Sequence, residues 1–145
     1  MILLLVISLL LPSVDSRCSF SDNDVTAKWA VSNDKITLHY ENGKVTNNQW
    51  TGIGFGKDMN KLEMIIVTIQ DNKPSFGTGS KSGSEAPVLD PKAYAEPENL
   101  SFSGGKLTFQ WTRPLKATGA RSHSLEECQM WSVSTSESFC FEHIG

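Results

Sequence analysis

An antiparallel all-β sandwich is the fold this sequence predicts, and three observations predict it. Apolar residues recur at every second position over several short stretches, turn-forming pairs fall between those stretches, and no helical period of any length survives along the chain. A period of two places one face of a strand on a core and the other in water. Many such strands without crossover helices pack as two antiparallel sheets.

The elements follow in chain order. Ile2 to Leu11 is aliphatic apart from Ser8, and the helix-breaking Pro12 and the small residues Val14 and Ser16 come next. That is the signal-peptide pattern, and the apolar run is too short for a membrane span of about 20 residues. Residues 1–16 are therefore expected to be removed, leaving residues 17–145 as one secreted, extracellular domain with no transmembrane anchor. Val25, Ala27, Trp29 and Val31 then alternate with Thr26, Lys28 and Ala30, and Ile36, Leu38 and Tyr40 alternate with Lys35, Thr37 and His39. These read as two adjacent strands, with Asn42-Gly43 as a hairpin turn signal. Glu63 to Ile69 is a nearly continuous apolar run, as expected of a strand covered on both faces. Asp71 to Glu98 is rich in Gly, Ser, Pro and Lys and reads as long surface loops around one short strand near Phe76. Leu100 and Phe102, the turn Gly104-Gly105, and Leu107, Phe109 and Trp111 form the clearest hairpin. Trp131 with Val133, and Phe139 with Phe141, supply short closing strands, and a helical turn is expected only at Leu62 or around Ser124 to Cys128.

A formal charge of −3 and a pI of 5.6 argue against a nucleic-acid partner, whose phosphates need a basic face that is not visible here. The three cysteines, Cys18, Cys128 and Cys140, all follow the signal segment. An oxidising compartment lets disulfides persist, so one bridge and one remaining thiol is the minimum reading, with Cys18 expected to be bridged. A bridge from Cys18 closes a loop of more than about a hundred residues, for which chain entropy allows about 4 to 5 kcal/mol. Asn99-Leu100-Ser101 is a glycosylation sequon, usable in an exported protein if its loop is exposed.

The usual signatures of catalysis are missing. There is no Gly-x-Ser-x-Gly elbow, no His-Glu-x-x-His, no P-loop and no Cys-x-x-Cys-His. The chain is accordingly expected not to be an enzyme. His39 falls on the polar face of its strand, His123 in a loop expected to be exposed, and His143 on the face shared by Phe139 and Phe141. In Trp50-Thr51-Gly52-Ile53-Gly54-Phe55-Gly56, alternate glycines strip side chains from one face of a strand, which marks close approach of something to the backbone. Lys57-Asp58-Met59 follows in a loop.

With these residues in view, the chain resembles the DOMON domains. The matching motifs are Trp50-x-Gly52-x-Gly54-Phe55, then Met59, then Glu63 where an Asp is more usual, then the aliphatic strand Met64 to Ile69. Pro87-Val88-Leu89-Asp90, Arg113-Pro114-Leu115, Leu125 through Cys128 and the late His143 continue the match. The resemblance implies an Ig-like β-sandwich of roughly ten strands that binds haem or a sugar between loops and one sheet. In the family's cytochrome members a Met after the Gly-Phe strand and a His near the C-terminus hold a b-type haem, and Met59 and His143 fall at those positions. On that reading Met59 and His143 are the axial ligands of the haem iron, Gly54 lets the porphyrin lie against the backbone, and Phe55, Phe139 and Phe141 line its edge. The module would then carry electrons to or from an extracellular redox partner. The alternative is a haem-free carbohydrate- or small-ligand-binding module in which Trp50, Trp111 or Trp131 faces a sugar ring. A third reading is a matrix protein that makes only protein contacts.

Overall fold

The computed structural model describes residues 17–56, 61–117, 123–126, 130–134 and 138–142. The expected signal segment therefore lies outside the described residues. Among the described residues eleven strands run in order: β1 (Arg17–Asp22), β2 (Val25–Ser32), β3 (Lys35–Asn42), β4 (Trp50–Phe55), β5 (Leu62–Gln70), β6 (Lys73–Lys81), β7 (Val88–Leu89), β8 (Glu98–Ser103), β9 (Lys106–Pro114), β10 (Met130–Ser134) and β11 (Ser138–Glu142). No helix is present among the described residues: Leu62 begins a strand, residues 123–126 are irregular, and the rest of the turn expected around Ser124 to Cys128 lies outside the described residues. The strands form two antiparallel sheets, one ordered β1-β2-β3-β9-β8 and the other β11-β10-β4-β5-β6-β7, and the sandwich predicted from alternation is the fold observed.

The core is made by the inward rows of four central strands. Ile36, Leu38 and Tyr40 of β3 and Leu107, Phe109 and Trp111 of β9 meet Ile53 and Phe55 of β4 and Ile65, Val67 and Ile69 of β5. Each fully buried aliphatic side chain among them contributes about 2 kcal/mol. Phe55 lies nearly parallel to Trp111 across the two sheets, with ring centroids 5.7 Å apart, and Phe76 meets Phe109 edge-on at 5.9 Å. Strand β5 is buried on both faces, as its nearly continuous apolar run predicted. Its outward residues Leu62, Met64 and Ile66 form a second cluster with Trp50.

Two expectations needed correction. The turn between β2 and β3 is Asn33-Asp34, whose two positive φ angles of 51° and 58° suit the tight hairpin turn. Asn42-Gly43 instead begins the crossing to the other sheet, because the Asn42 side chain is turned into the core. The stretch Asp71 to Glu98 holds a nine-residue strand, β6, joined to β5 by a second such turn at Asp71-Asn72. Its alternation was hidden because Gly77 and Gly79 occupy outward positions where side chains would have shown it. There the neighbouring chain comes close: a Cβ on Gly79 would lie directly against the Val88 carbonyl oxygen.

Candidate functional site

The inward rows of β5 and β9 each end on a charge at the same end of the sandwich. Counting outward, Ile65 is followed by Glu63, and Trp111 by Arg113. Period-two alternation therefore carries one carboxylate and one guanidinium into the interior, where they form an ion pair with side chains 1% and 2% exposed. A buried pair is tolerated only if its remaining hydrogen-bonding positions are met, and here they are. The Glu63 carboxylate accepts from Arg113 Nη1 and Tyr94 Oη, and its second oxygen accepts from the His123 backbone N–H at 2.6 Å. Arg113 donates through Nε to the Pro114 carbonyl at 3.0 Å and through Nη2 to the His123 carbonyl. Burial, and then the adjacent Glu63 charge, push the Tyr94 phenol well above its ordinary value.

Tyr94 reaches Glu63 because its loop is fastened to β6. Thr78 Oγ1 donates to Asp90 Oδ2 at 2.8 Å, the Asp90 N–H donates to the Thr78 carbonyl at 2.8 Å, and the Tyr94 N–H donates to Thr78 Oγ1 at 3.3 Å. Pro87-Val88-Leu89-Asp90 thus acts through its aspartate as a loop fastener. The connection after β9 is held in turn by the Leu115 N–H on the Asp34 carbonyl, 2.9 Å, and the Leu125 N–H on the Leu115 carbonyl, 2.7 Å. His123 sits between these connections, and its Nε2 is 2.7 Å from the Lys61 carbonyl. Glu63, Asp90, Arg113, Leu115 and Leu125, scattered in the sequence, therefore converge on one clamp for the loops at this end.

The expected site residues fall into three groups. Met59, His143 and Cys128 lie outside the described residues. Gly54 and Phe55 are described, and both serve the protein's own packing: a Cβ on Gly54 would come within 2.9 Å of Leu62 Cδ1, and Phe55 is fully buried against Trp111. Neither presents an open wall to a planar ligand. Trp111, an expected sugar platform, is likewise core, and Trp50 packs on the outward cluster. Cys18 and Cys140 belong to β1 and β11, the edge strands of the two sheets, and the pairing of the thiols lies outside the described residues. Asn99 is exposed on the edge strand β8, with φ at 55° beside an irregularity in the register.

Register supplies what side chains do not. Phe55 is paired with Trp131, and Trp131 with Phe141. The end of β4, which leads to Met59, is thus level with the end of β11, which leads to His143. The two strands are separated by β10 alone, which sets them about 10 Å apart.

Sequence reasoning missed two participants. His123 was expected to be exposed but is half-buried, and Tyr94 was not singled out at all. Neither sits in a periodic stretch, so alternation carried no signal for them. His39 is exposed, as expected from its place on the polar face of β3. No helix among the described residues is long and apolar enough to cross a membrane.

Comparison with known proteins agrees with the motifs. The family model of the DOMON domain matches residues 21–137. The chain is 35% identical over 127 residues to DOMON domain-containing protein Y73F4A.1 of Caenorhabditis elegans, covering 85% of this chain and 70% of that relative. It is 31% identical over 135 residues to DOMON domain-containing protein CBG21755 of Caenorhabditis briggsae, covering 91% and 73%. With the family model spanning most of the chain and a relative 35% identical over 85% of it, the chain belongs to the DOMON domain family.

Proposed function

We propose that this DOMON domain is a secreted binding module that takes up a b-type haem through Met59 and His143 and serves as an electron carrier, not as an enzyme in its own right. The observation that carries the reading is the shared register row of Phe55 and Phe141. It sets the strand end that leads to Met59 level with the strand end that leads to His143, which supports a ligand shared between them.

Met59 and His143 would hold the haem iron through a thioether and an imidazole, and the group would supply one-electron exchange. The chain's own contribution is positional. The Glu63–Arg113 clamp fixes the loops around this end, and the exposed Val88, Leu89 and Tyr94, at 61%, 54% and 42%, give an apolar rim on which an extracellular redox partner can dock. Absorption spectroscopy on the domain, produced by export from cells supplied with haem, tests the reading. A Soret band is expected, with its low-spin features altered in Met59→Ala and in His143→Ala. Absence of the band defeats the haem reading, and an unaltered spectrum in either variant defeats that ligand.

One observation favours a second reading, a haem-free sugar or small-ligand module. Tyr94 is 42% exposed as a residue while its hydroxyl is tied to buried Glu63, which holds an aromatic side chain in place at the loop end. Glycan-array binding lost in Tyr94→Ala, without any Soret band, would favour it.

A further inference from the structure

The His123 imidazole has a use that the ion pair does not require. Glu63 and Arg113 grip the backbone of residue 123, through its N–H and its carbonyl, and leave the ring free to bond elsewhere. The ring reaches across to the neck of the β4–β5 hairpin. Its Nε2 lies 2.7 Å from the Lys61 carbonyl, and a Cβ on Gly56 would come within 3.4 Å of the same nitrogen. Lys61 and Gly56 flank residues 57–60 on either side. A carbonyl can only accept, so Nε2 carries the proton of this bond.

We propose that His123 is a positioning residue: anchored by its backbone to the Glu63–Arg113 pair, it uses its Nε2–H to hold Lys61 at the neck of the β4–β5 hairpin. Any effect on haem rests on the reading above, but the strut itself does not. The geometry also makes the test selective. Exchange of the side chain leaves the backbone grip intact, so the fold is expected to survive while the bond to Lys61 is lost.

The test compares His123→Ala, His123→Asn and His123→Gln. A glutamine amide can place an N–H near the position of Nε2, whereas asparagine is too short to do so. By hydrogen exchange on the haem-free protein, the backbone amides of Gly56, Lys61 and Leu62 are expected to exchange about fivefold to tenfold faster in the Ala and Asn variants, as the loss of one net hydrogen bond allows. In the Gln variant they are expected to return to within about twofold of the parent. Parent-like exchange in the Ala variant overturns the proposal. So does acceleration that Gln fails to correct, since that would make the ring's bulk and not its hydrogen bond responsible. If His123→Ala does not fold, the Asn and Gln pair decides alone. In haem-loaded protein the midpoint potential is expected to shift in Ala and Asn and to recover in Gln. Failure to load haem would count against the function proposed above and leave the exchange experiment to decide on the strut.

Discussion

Two buried polar clusters stand at opposite ends of the same core, and they are built differently. At the loop end, Glu63 and Arg113 form a buried ion pair and draw Tyr94 and the His123 backbone around them. At the other end the cluster is neutral: Tyr40 Oη and Thr51 Oγ1 are 2.8 Å apart, and Asn42 Nδ2 donates to both at 3.1 and 3.2 Å. Asn42 Oδ1 in turn accepts from the Lys44 N–H at 2.8 Å, closing the turn into the sheet crossing. The neutral cluster joins strands to one short crossing. The charged one gathers three separate connections, and a charge can do so because each carboxylate or guanidinium offers several strong hydrogen-bonding positions. The difference teaches that Glu63, Asp90 and Arg113 chiefly hold loops in place.

The comparison predicts unequal costs. Glu63→Ala is expected to be the most damaging change, lowering stability by about 3–5 kcal/mol in denaturant melts, because it strands a buried guanidinium. Replacing both partners, as in Glu63→Met with Arg113→Met, is expected to recover much of that loss. A double variant as unstable as Glu63→Ala would show that the pair is worth more than its desolvation. Next come backbone-limited glycines. Gly79→Ala would drive a Cβ onto the Val88 carbonyl oxygen and is expected to cost about 1–3 kcal/mol and loosen β7, whereas Gly54→Ala meets only the flexible end of Leu62 and should cost less. At the neutral end, Asn42→Ala is expected to cost about 1–2 kcal/mol, clearly below Glu63→Ala. Equal losses at the two ends would remove the distinction drawn here. The smallest effect belongs to the surface pair Lys106–Glu41, 2.8 Å apart and about half exposed, whose removal should leave the melt unchanged.

Both ends also predict alkaline behaviour. Tyr40 and Tyr94 are the chain's two tyrosines, and burial raises both phenols, with the Glu63 charge adding to the effect at Tyr94. A phenol raised in the folded state binds its proton more tightly there than in the unfolded chain. The stability it contributes is therefore complete below the ordinary phenol value, about pH 10, and is lost as pH rises beyond it. Ultraviolet titration should show no native phenolate near pH 10 and a single coincident rise when the fold breaks. Tyr94→Phe should flatten the alkaline loss of stability, and a native phenolate at ordinary pH would contradict the buried placement.

Much of the fold was legible. The alternation of β2, β3 and β9 and the Gly104-Gly105 turn are written residue by residue, because a half-buried strand must alternate and a tight hairpin must tolerate positive φ. Strand β6 was not legible, since Gly77 and Gly79 removed the very side chains by which alternation is read. Glu63 and Arg113 did leave a trace: each is a charge standing in an inward position at the end of an apolar row, a conflict resolved only if the two meet. Tyr94 and His123 left none, because their loops have no period.

By itself, then, the sequence determined the class of fold, the inward rows and the family, all of which follow from side-chain chemistry repeated along the chain. Tertiary structure decided what that chemistry touches. It turned Asn42 from a turn residue into a core donor, spent Gly54 and Phe55 on packing, and joined Glu63 to Arg113 across 50 residues. It also set the ends of β4 and β11 in one row. Such meetings depend on how two twisted sheets stack, and stacking is a property of the whole chain.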